Sequence, residues 1–240
     1  MKLNSDLGES YGIWKMADDR AILPLIDMAN IACGFHAGDA MVMRNTVVAA
    51  IENQVEIGAH PSYPDLQGFG RRSMRLPAEE LHAMLIYQLS ALDGIAQCVE
   101  GAVTYMKPHG ALYNDMMKDF GVFQTVVEAT SSFYRPIELV IQAGLHNSAY
   151  QQIASKNGVT LRYEAFADRR YMPSGQLTPR EQQGAVLSLK EMVEQAKMLI
   201  KDGRVKASDG SWLALEADTL CVHGDSTDAL QAIQQIRSLL

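Results

Sequence analysis

Residues 30–39 read NIACGFHAGD, and this segment carries the pattern from which the architecture follows. A short apolar run ends at Gly34, a polar turn containing His36 and Asp39 follows, and an amphipathic segment begins at residue 40. Apolar runs of this length, bounded by turn residues, predict a buried strand that leads into a helix. Asp39 stands where a helix-capping side chain is expected.

The same strand, turn and helix pattern recurs along the 240 residues. Strands are predicted near residues 2–6, 28–34, 55–60, 102–107, 137–142, 160–166 and 218–223. Helices are predicted near residues 18–26, 40–53, 77–98, 119–131, 146–157, 179–201 and 226–239. The start at residue 179 depends on Thr178 and Glu181, which form a capping-box pattern.

Seven alternating units without a long linker predict an α/β fold with a parallel sheet. Two arrangements of this sheet are possible: a closed barrel, or an open, doubly wound sheet. We favour the barrel because polar residues follow nearly every strand, whereas an open sheet concentrates them at one switch point. The expectation is therefore one (β/α)-barrel domain over residues 1–240, TIM-like, with about seven strands.

Composition and charge argue against several classes of protein. The formal net charge is −7, and Lys and Arg are scattered, which argues against a nucleic-acid-binding protein. Three widely spaced cysteines argue against a disulfide framework. No signal-peptide pattern and no apolar run of about 18 residues occur, so we expect a cytoplasmic protein without a membrane segment.

Acidic and histidine side chains come at the ends of the first three predicted strands. Asp6 and Glu9 flank a glycine after the first strand, where they can bind a cation or transfer protons, or only cap a turn. His36 follows the second strand and His60 the third. The loop after His60 carries the pair Arg71–Arg72, which suits a carboxylate or phosphate unless it is only a solvated surface.

The fourth predicted strand leads into KPHGALYN, residues 107–114. Lys107 and His109 are two residues apart, so in an extended segment their side chains share a face. Such a pair can polarise a carbonyl or phosphoryl oxygen and shuttle a proton. Lysine is rarely buried at a strand end without a partner or a function.

The last two strands add further polar residues. Asp168 and Arg169 follow the sixth strand, and His223 follows the seventh, where Asp225 or Ser226 is a candidate cap for the last helix. Four of the six histidines thus come at strand ends: His36, His60, His109 and His223. Collection at one face of a barrel is typical of catalytic or metal-binding residues.

These blocks, in this order over residues 2–226, closely resemble the LamB/YcsF family. The resemblance implies a barrel related to polysaccharide deacetylases and a role as the A subunit of an ATP-dependent 5-oxoprolinase. That enzyme opens 5-oxoproline to L-glutamate with ATP as cosubstrate, together with subunits B and C. One departure from the family is Arg170, where glycine is more usual, and it leaves the role of the loop around Asp168 and Arg169 open.

The resemblance and the residues together give each side chain a hypothetical role. Lys107 and His109 would stabilise the oxygen that ATP phosphorylates, and Asp6 or His60 would orient or deprotonate water. The expected substrate contacts are Glu9, His36, Asp39, Arg72, Asn114, Asp168, Arg169 and His223. Asp6, His36 and His60 form a candidate set of ligands for a divalent metal, the alternative being a hydrogen-bonded network without an ion.

Two other functions remain open. A stand-alone, metal-dependent amide or carbohydrate deacetylase would act without ATP and without partners. A non-catalytic subunit would bind a lactam and deliver it to a partner enzyme. Because no glycine-rich phosphate fingerprint follows the first strand, ATP is expected at an unrecognised site or at an interface.

Overall fold

The structure is a computed structural model that describes residues 1–224 and 228–240. Its centre is a closed barrel of parallel strands in the order β1-β2-β3-β4-β5-β6-β9, in which β1 pairs with both β2 and β9. The barrel strands are β1 Lys2–Leu7, β2 Met28–Ala32, β3 Glu56–His60, β4 Val103–Met106, β5 Glu138–Gln142, β6 Thr160–Phe166 and β9 Thr219–Cys221. The expected TIM-like barrel with seven strands is thereby confirmed.

Helices follow the strands around the outside of the barrel. They are α1 Asp19–Ile22, α2 Ala40–Glu52, α3 Ala78–Gln97, α4 Gly110–Met116, α5 Phe120–Ser132, α6 Asn147–Lys156, α7 Leu189–Asp202 and α8 Ala229–Arg237. A 3-10 turn, Leu23–Leu25, follows α1, and an antiparallel hairpin of β7 Arg204–Lys206 and β8 Trp212–Ala214 precedes β9. No described helix is both long enough and apolar enough to cross a bilayer.

The predicted cap of α2 is confirmed, because the Asp39 carboxylate accepts hydrogen bonds from the backbone N–H groups of Met41 and Val42. The predicted helix start at residue 179 is wrong. Residues 179–188 form a loop, and α7 begins at Leu189. The loop is fixed by backbone hydrogen bonds across the chain, among them Thr178 N–H to the carbonyl of Arg170. The candidate caps Asp225 and Ser226 lie outside the described residues.

Side chains alternate between the helices and the barrel interior along each strand. In β1, Leu3 and Leu7 belong to the apolar core shared with the helices. The interior holds a separate small apolar group, Met28, Tyr105 and Val140, all completely buried. This group fills the middle of the barrel, as expected of a packed barrel and not of a pore.

Charged side chains close the barrel at the amino end of its strands. The guanidinium of Arg162 pairs with Glu56 at 3.1 Å and also with Glu138, and it lies 5.5 Å from the centre of the Tyr105 ring. The Tyr105 hydroxyl donates to Asn30 Oδ1 at 2.8 Å. Tyr105 therefore separates this floor from a second polar layer at the carboxyl end of the strands.

Candidate active site

The upper polar layer is centred on a buried ammonium group. Lys107, which is 2% exposed, places Nζ 3.0 Å from Asp6 Oδ1 and 3.0 Å from Glu164 Oε2. The Sγ of Cys221 lies 3.2 Å from the same nitrogen. Asp6 also accepts a hydrogen bond from Asn30 Nδ2 at 2.7 Å. Such a group is buried at low cost only because opposite charges and hydrogen bonds surround it.

The neighbours of Asp6 and Lys107 keep both groups charged. Burial raises the pKa of Asp6, but the charges of His60 and Lys107 outweigh burial and bring it well below its ordinary value. Burial lowers the pKa of Lys107, but Asp6, Cys221 and Glu164 outweigh burial and bring it well above its ordinary value. Lys107 is therefore a fixed positive charge and not a base.

Two histidines face each other beside Asp6. His60 Nδ1 lies 2.7 Å from the carbonyl of Lys107, and His109 Nε2 lies 2.9 Å from the carbonyl of Phe69. Because a carbonyl only accepts, each of these nitrogens carries its hydrogen. The remaining nitrogens, His60 Nε2 and His109 Nδ1, are 3.0 Å apart. In two neutral rings both would be acceptors, so a shared proton or a cation must lie between them.

Two further side chains complete this group, which we call the histidine–glutamate cluster: Glu9, His36, His60 and His109. Glu9 Oε1 lies 3.2 Å from His36 Nε2 and 3.4 Å from His109 Nδ1. All four residues are buried, and their candidate ligand atoms lie within 4.8 Å of one another. Burial first, and neighbouring histidines second, lower the pKa of both His36 and His109, which leaves them neutral.

The cluster has the donor set of a metal site. Three imidazoles and a carboxylate suit Zn²⁺ and related ions, and tetrahedral ligands at 2.0–2.1 Å from zinc are separated by about 3.3 Å. Neighbouring donor atoms in the cluster are 3.0–3.4 Å apart. The rings of His36 and His109 stack at 3.7 Å, so both lone pairs reach one ion only if a ring tilts. The tighter set is therefore Glu9, His60 and His109.

The loop between β3 and α3 covers the cluster. Gly70 adopts φ +66°, and a Cβ atom there would lie 2.8 Å from His109 Cδ2 and 2.9 Å from the Cβ of His36. Because glycine has no Cβ atom, the backbone at residue 70 can adopt a positive φ and lie against these two histidines. The Phe69 ring meets the rings of both histidines edge-on. The long loop predicted after His60 thus contributes directly to the site.

A histidine–aspartate pair stands on the other side of Asp6. His223 Nδ1 lies 2.6 Å from Asp168 Oδ2, and its Nε2 lies 3.7 Å from Asp6 Oδ2. The His223 ring stacks on Phe166. Burial raises the pKa of Asp168, but His223 and then Arg169 outweigh burial and lower it. An ionised Asp168 fixes the His223 ring with Nε2 available to a ligand, an arrangement suited to proton transfer.

A cavity of about 240 Å³ opens above these groups. Seven predicted site residues line it: Asp6, His60, Lys107, His109, Asn114, Arg169 and His223. Pockets for drug-sized ligands measure about 300–1,000 Å³, so this volume favours a small metabolite. The geometry suits a compact, polar ligand held above Lys107.

The other predicted residues lie behind the cavity or away from it. Glu9 and His36 contact His109, and Asp168 contacts His223, so these three support residues of the lining. Asp39 caps α2 and accepts from Gly12 N–H. Arg72 is exposed and pairs with Asp65, whereas its neighbour Arg71 lines the cavity. Of the predicted metal ligands, His36 and His60 belong to the cluster, while Asp6 pairs with Lys107.

Sequence reasoning missed several polar side chains of the inner layer. Asn4 and Asn30 lie inside β1 and β2, and Cys221 ends β9. Glu164, which also escaped the sequence analysis, lies within β6 and contacts Lys107. The available signal was the two-residue period: Asn4 and Asp6 share one face of β1, as do Glu164 and Phe166 of β6.

Comparison with known proteins gives consistent relationships over the whole chain. The model of the LamB/YcsF family matches residues 1–240. A protein of Vibrio cholerae, named as the A subunit of 5-oxoprolinase, is 50% identical over 100% of this chain and 97% of its own length. The protein of that name from Pseudomonas fluorescens is 49% identical over 99% of this chain and 96% of its own.

A solved structure has the same fold. The lactam utilization protein of Thermus thermophilus superimposes with a TM-score of 0.90 at 38% sequence identity. The match covers 99% of this chain and 94% of that one. The barrel is thus shared with a protein whose name refers to lactams.

Proposed function

Because the chain belongs to the LamB/YcsF family, we propose that it is the subunit of an ATP-dependent 5-oxoprolinase that opens the lactam ring. The product would be L-glutamate, and ADP and phosphate would be released. The observation that carries the proposal is the charged layer of Asp6, Lys107 and Glu164 at the base of a small cavity. Relatives named as the A subunit of 5-oxoprolinase support the assignment.

The chemistry requires activation of a stable amide. Transfer of a phosphoryl group from ATP to the lactam oxygen releases ADP and activates the ring carbon toward attack by water. The carbon–nitrogen bond then breaks as the nitrogen takes up a proton, which leaves an acyl phosphate. A second water molecule hydrolyses this acyl phosphate to L-glutamate and phosphate.

Lys107 is a fixed cation, and both it and His109 line the cavity. We assign Lys107 to the negative charge that collects on the phosphorylated oxygen. Both nitrogens of the neutral His109 ring are directed at Phe69 and His60, so His109 would act through the cation proposed below.

Proton transfers are assigned to the groups around Asp6. Asp6 is ionised and lies between His60 at 3.3 Å and His223 at 3.7 Å. A water molecule held by Asp6 can give its proton to His223 as it attacks, or to His60 if the cluster holds no metal. His223, fixed by Asp168, is placed to deliver a proton to the ring nitrogen as the carbon–nitrogen bond breaks.

We further propose that the histidine–glutamate cluster holds a divalent metal, with Glu9, His60 and His109 as its ligands. When bound, such an ion supplies Lewis-acid polarisation and lowers the pKa of bound water. The purified chain should contain about one equivalent of metal, and its cobalt form should absorb in the visible region. His60→Ala should remove both signals. A folded chain that contains no metal and gives no cobalt spectrum would contradict the metal site. His60 and His109 would then share a proton instead.

The position of the ATP site and the role of the partner subunits form one proposal. The cavity is small for a nucleotide, and the chain lacks a glycine-rich phosphate fingerprint after its first strand. We therefore propose that subunits B and C provide or complete the ATP site. The test is ADP release that depends on 5-oxoproline, measured with this chain alone, with B and C alone, and with all three. Full activity without this chain would contradict the proposal.

The histidine–glutamate cluster also supports a second candidate, a stand-alone metal-dependent amide or carbohydrate deacetylase. This function predicts hydrolysis of simple amides or acetylated sugars by the chain alone, without ATP. A third candidate, a lactam-binding subunit without catalytic groups, predicts lactam binding with no turnover by this chain, even when all partners are present. The reconstitution separates the second candidate from the other two, because only a stand-alone deacetylase acts without ATP and partners. Single-site variants separate the first from the third: loss of glutamate formation by a complex that still assembles and binds 5-oxoproline supports catalysis by this chain.

A further inference from the structure

Three arginines line the cavity above the reacting groups. Arg71 comes from the loop between β3 and α3, and Arg169 and Arg180 come from the loop between β6 and α7. Burial first, and then the charge of Arg180, lower the pKa of Arg169 to about 10, and Arg71 acts in the same direction. Three guanidinium groups at one cavity create a positive potential there, which favours an anionic ligand.

Arg169 has unused hydrogen-bonding capacity although it is 7% exposed. Its Nη2 donates to the carbonyl of Thr178 at 2.7 Å, whereas its Nε has no hydrogen-bond partner among the described residues. The hydroxyl of Thr178, also buried, likewise has none within residues 1–224 and 228–240. A buried donor without an acceptor destabilises the folded chain, and a ligand oxygen that accepts from it would remove that cost.

Two acids near Arg169 have other partners. Asp168 Oδ2 accepts from His223 at 2.6 Å, although its Oδ1 has no hydrogen-bond partner among the described residues, and Asp6 pairs with Lys107 at 3.0 Å. Asp115, on the cavity wall, accepts from Tyr63 and Ser73. Glu181 is exposed at the mouth of the cavity. Among residues 1–224 and 228–240, the carboxylates that line the cavity are thus Asp6, Asp115 and Glu181, and the two buried or partly buried ones, Asp6 and Asp115, have other partners.

We propose that Arg169, together with Arg71 and Arg180, forms a carboxylate-binding subsite, so that this chain accepts small cyclic amides that carry an acidic group. The planar guanidinium fork matches a carboxylate with two parallel hydrogen bonds. That the ligand's ring beside Lys107 is a lactam rests on the proposed function. Lys107 would contact the reacting oxygen, and the arginines would contact the carboxylate of the ligand.

Calorimetric titration of the complete chain tests the subsite without ATP, partners or turnover. The probes are 5-oxoproline, 2-pyrrolidinone, which is the same ring without the carboxylate, and inorganic phosphate. The variants are Arg169→Gln, Arg180→Gln and the matched control Arg170→Gln. Arg170 is adjacent in sequence but outside the cavity lining, where it pairs with Glu191 at 2.9 Å.

The wild-type chain should bind 5-oxoproline about ten- to a hundredfold more tightly than 2-pyrrolidinone, the effect of one or two charged hydrogen bonds. Arg169→Gln should remove this preference and leave binding of the neutral ring unchanged, and Arg170→Gln should change neither. Should Arg169→Gln fail to fold, Arg180→Gln at the half-buried mouth should still lower the preference severalfold.

Equal affinities of the wild-type chain for the acid and the neutral ring overturn the subsite, as does an absence of 5-oxoproline binding at millimolar concentration. Phosphate binding that is lost in Arg169→Gln, with the affinity for 5-oxoproline unchanged, also overturns it by assigning the arginines to a phosphoryl group. Binding of 5-oxoproline through Arg169, without ADP release in the reconstituted complex, would support the subsite and contradict the proposed function.

Discussion

At the scale of single residues, the site depends on charges that are fixed by their neighbours. Asp6 and Lys107 stay ionised inside the barrel because each lies beside the other and beside further partners. His60 and His109 direct hydrogens toward backbone carbonyls and turn their other nitrogens toward each other. A neutral substitution at any of these positions would leave a buried partner uncompensated.

The pairing of Asp168 with His223 gives a residue-scale prediction. Asp168→Asn keeps the shape of the side chain but removes the charge that holds the His223 ring and its proton arrangement. The turnover number of the complete complex should fall by about 10²- to 10⁴-fold, while the KM for 5-oxoproline changes little. An unchanged turnover number would exclude a proton-transfer role for this pair.

At the scale of secondary structure elements, the sequence predicted all seven barrel strands with small errors at their ends. Short apolar runs followed by Gly, His or Asp were sufficient, because buried parallel strands have few alternatives. The helix α4, the hairpin of β7 and β8, and the start of α7 were not predicted. In each case tertiary contacts decide the local structure. Thr178 and Glu181 match a capping box, yet backbone pairing with Arg170 keeps that segment in a loop.

The candidate site was predictable where polar residues follow a strand and not where they lie within one. His60, Lys107 and His223 were found because they end strands or follow them, and Asp6 because it ends the predicted strand at 2–6, although β1 continues to Leu7. Glu164 and Asn30 were missed as site residues because the side chain of a mid-strand residue turns inward or outward with the barrel register. The choice between Arg71 and Arg72 depends on loop conformation, which residue type alone does not specify.

The corrected start of α7 can be tested through stability. The Glu191 carboxylate accepts from both the backbone N–H and the hydroxyl of Ser188, at 2.9 and 2.7 Å. Ser188→Ala should therefore lower the free energy of unfolding by about 1 kcal/mol in urea titrations. The matched substitution Ser174→Ala, in the preceding loop, should change it by less. Equal effects of the two substitutions would count against this helix start.

The junction of α3 and β4 gives a prediction about pH. Asp93, 1% exposed, accepts from Val103 N–H at 3.0 Å and pairs with Arg135. Burial raises its pKa, but hydrogen bonds from Val103, Tyr134, Gln97 and Arg135 outweigh burial and lower it. A lowered folded-state pKa stabilises the fold above the unfolded-state value of about 3.9, and that contribution is lost as the pH falls through the folded value.

Asp93→Asn should accordingly lower the free energy of unfolding by about 2 kcal/mol at neutral pH. The difference from wild type should shrink as the pH falls below about 4, where the wild-type carboxylate becomes protonated. Urea unfolding at several pH values measures both effects. Asp202→Asn, at an exposed pair with Arg204, is the control and should have little effect at any pH. A difference that does not change with pH would contradict the assignment.

At the scale of the whole molecule, the residues that stabilise the barrel and those of the candidate active site lie in different layers of it. Arg162 and its acidic partners close the amino end, and Tyr105 with its apolar neighbours fills the middle. The carboxyl end collects the ionised layer, the histidine–glutamate cluster and the cavity. This division is general in α/β barrels, where substitutions at the carboxyl face change activity and those at the amino face change stability.

The central claim is that the buried layer around Lys107 opens the lactam ring within a multi-subunit enzyme. Its most direct test is the rate of L-glutamate formation from 5-oxoproline by the complete complex containing Lys107→Met. Lys190→Met, on the exposed face of α7, is the matched control. Loss of a fixed charge at the reacting oxygen predicts a decrease of about 10²- to 10³-fold or more with Lys107→Met and none with the control. Near-wild-type glutamate formation by a folded Lys107→Met complex would contradict the claim.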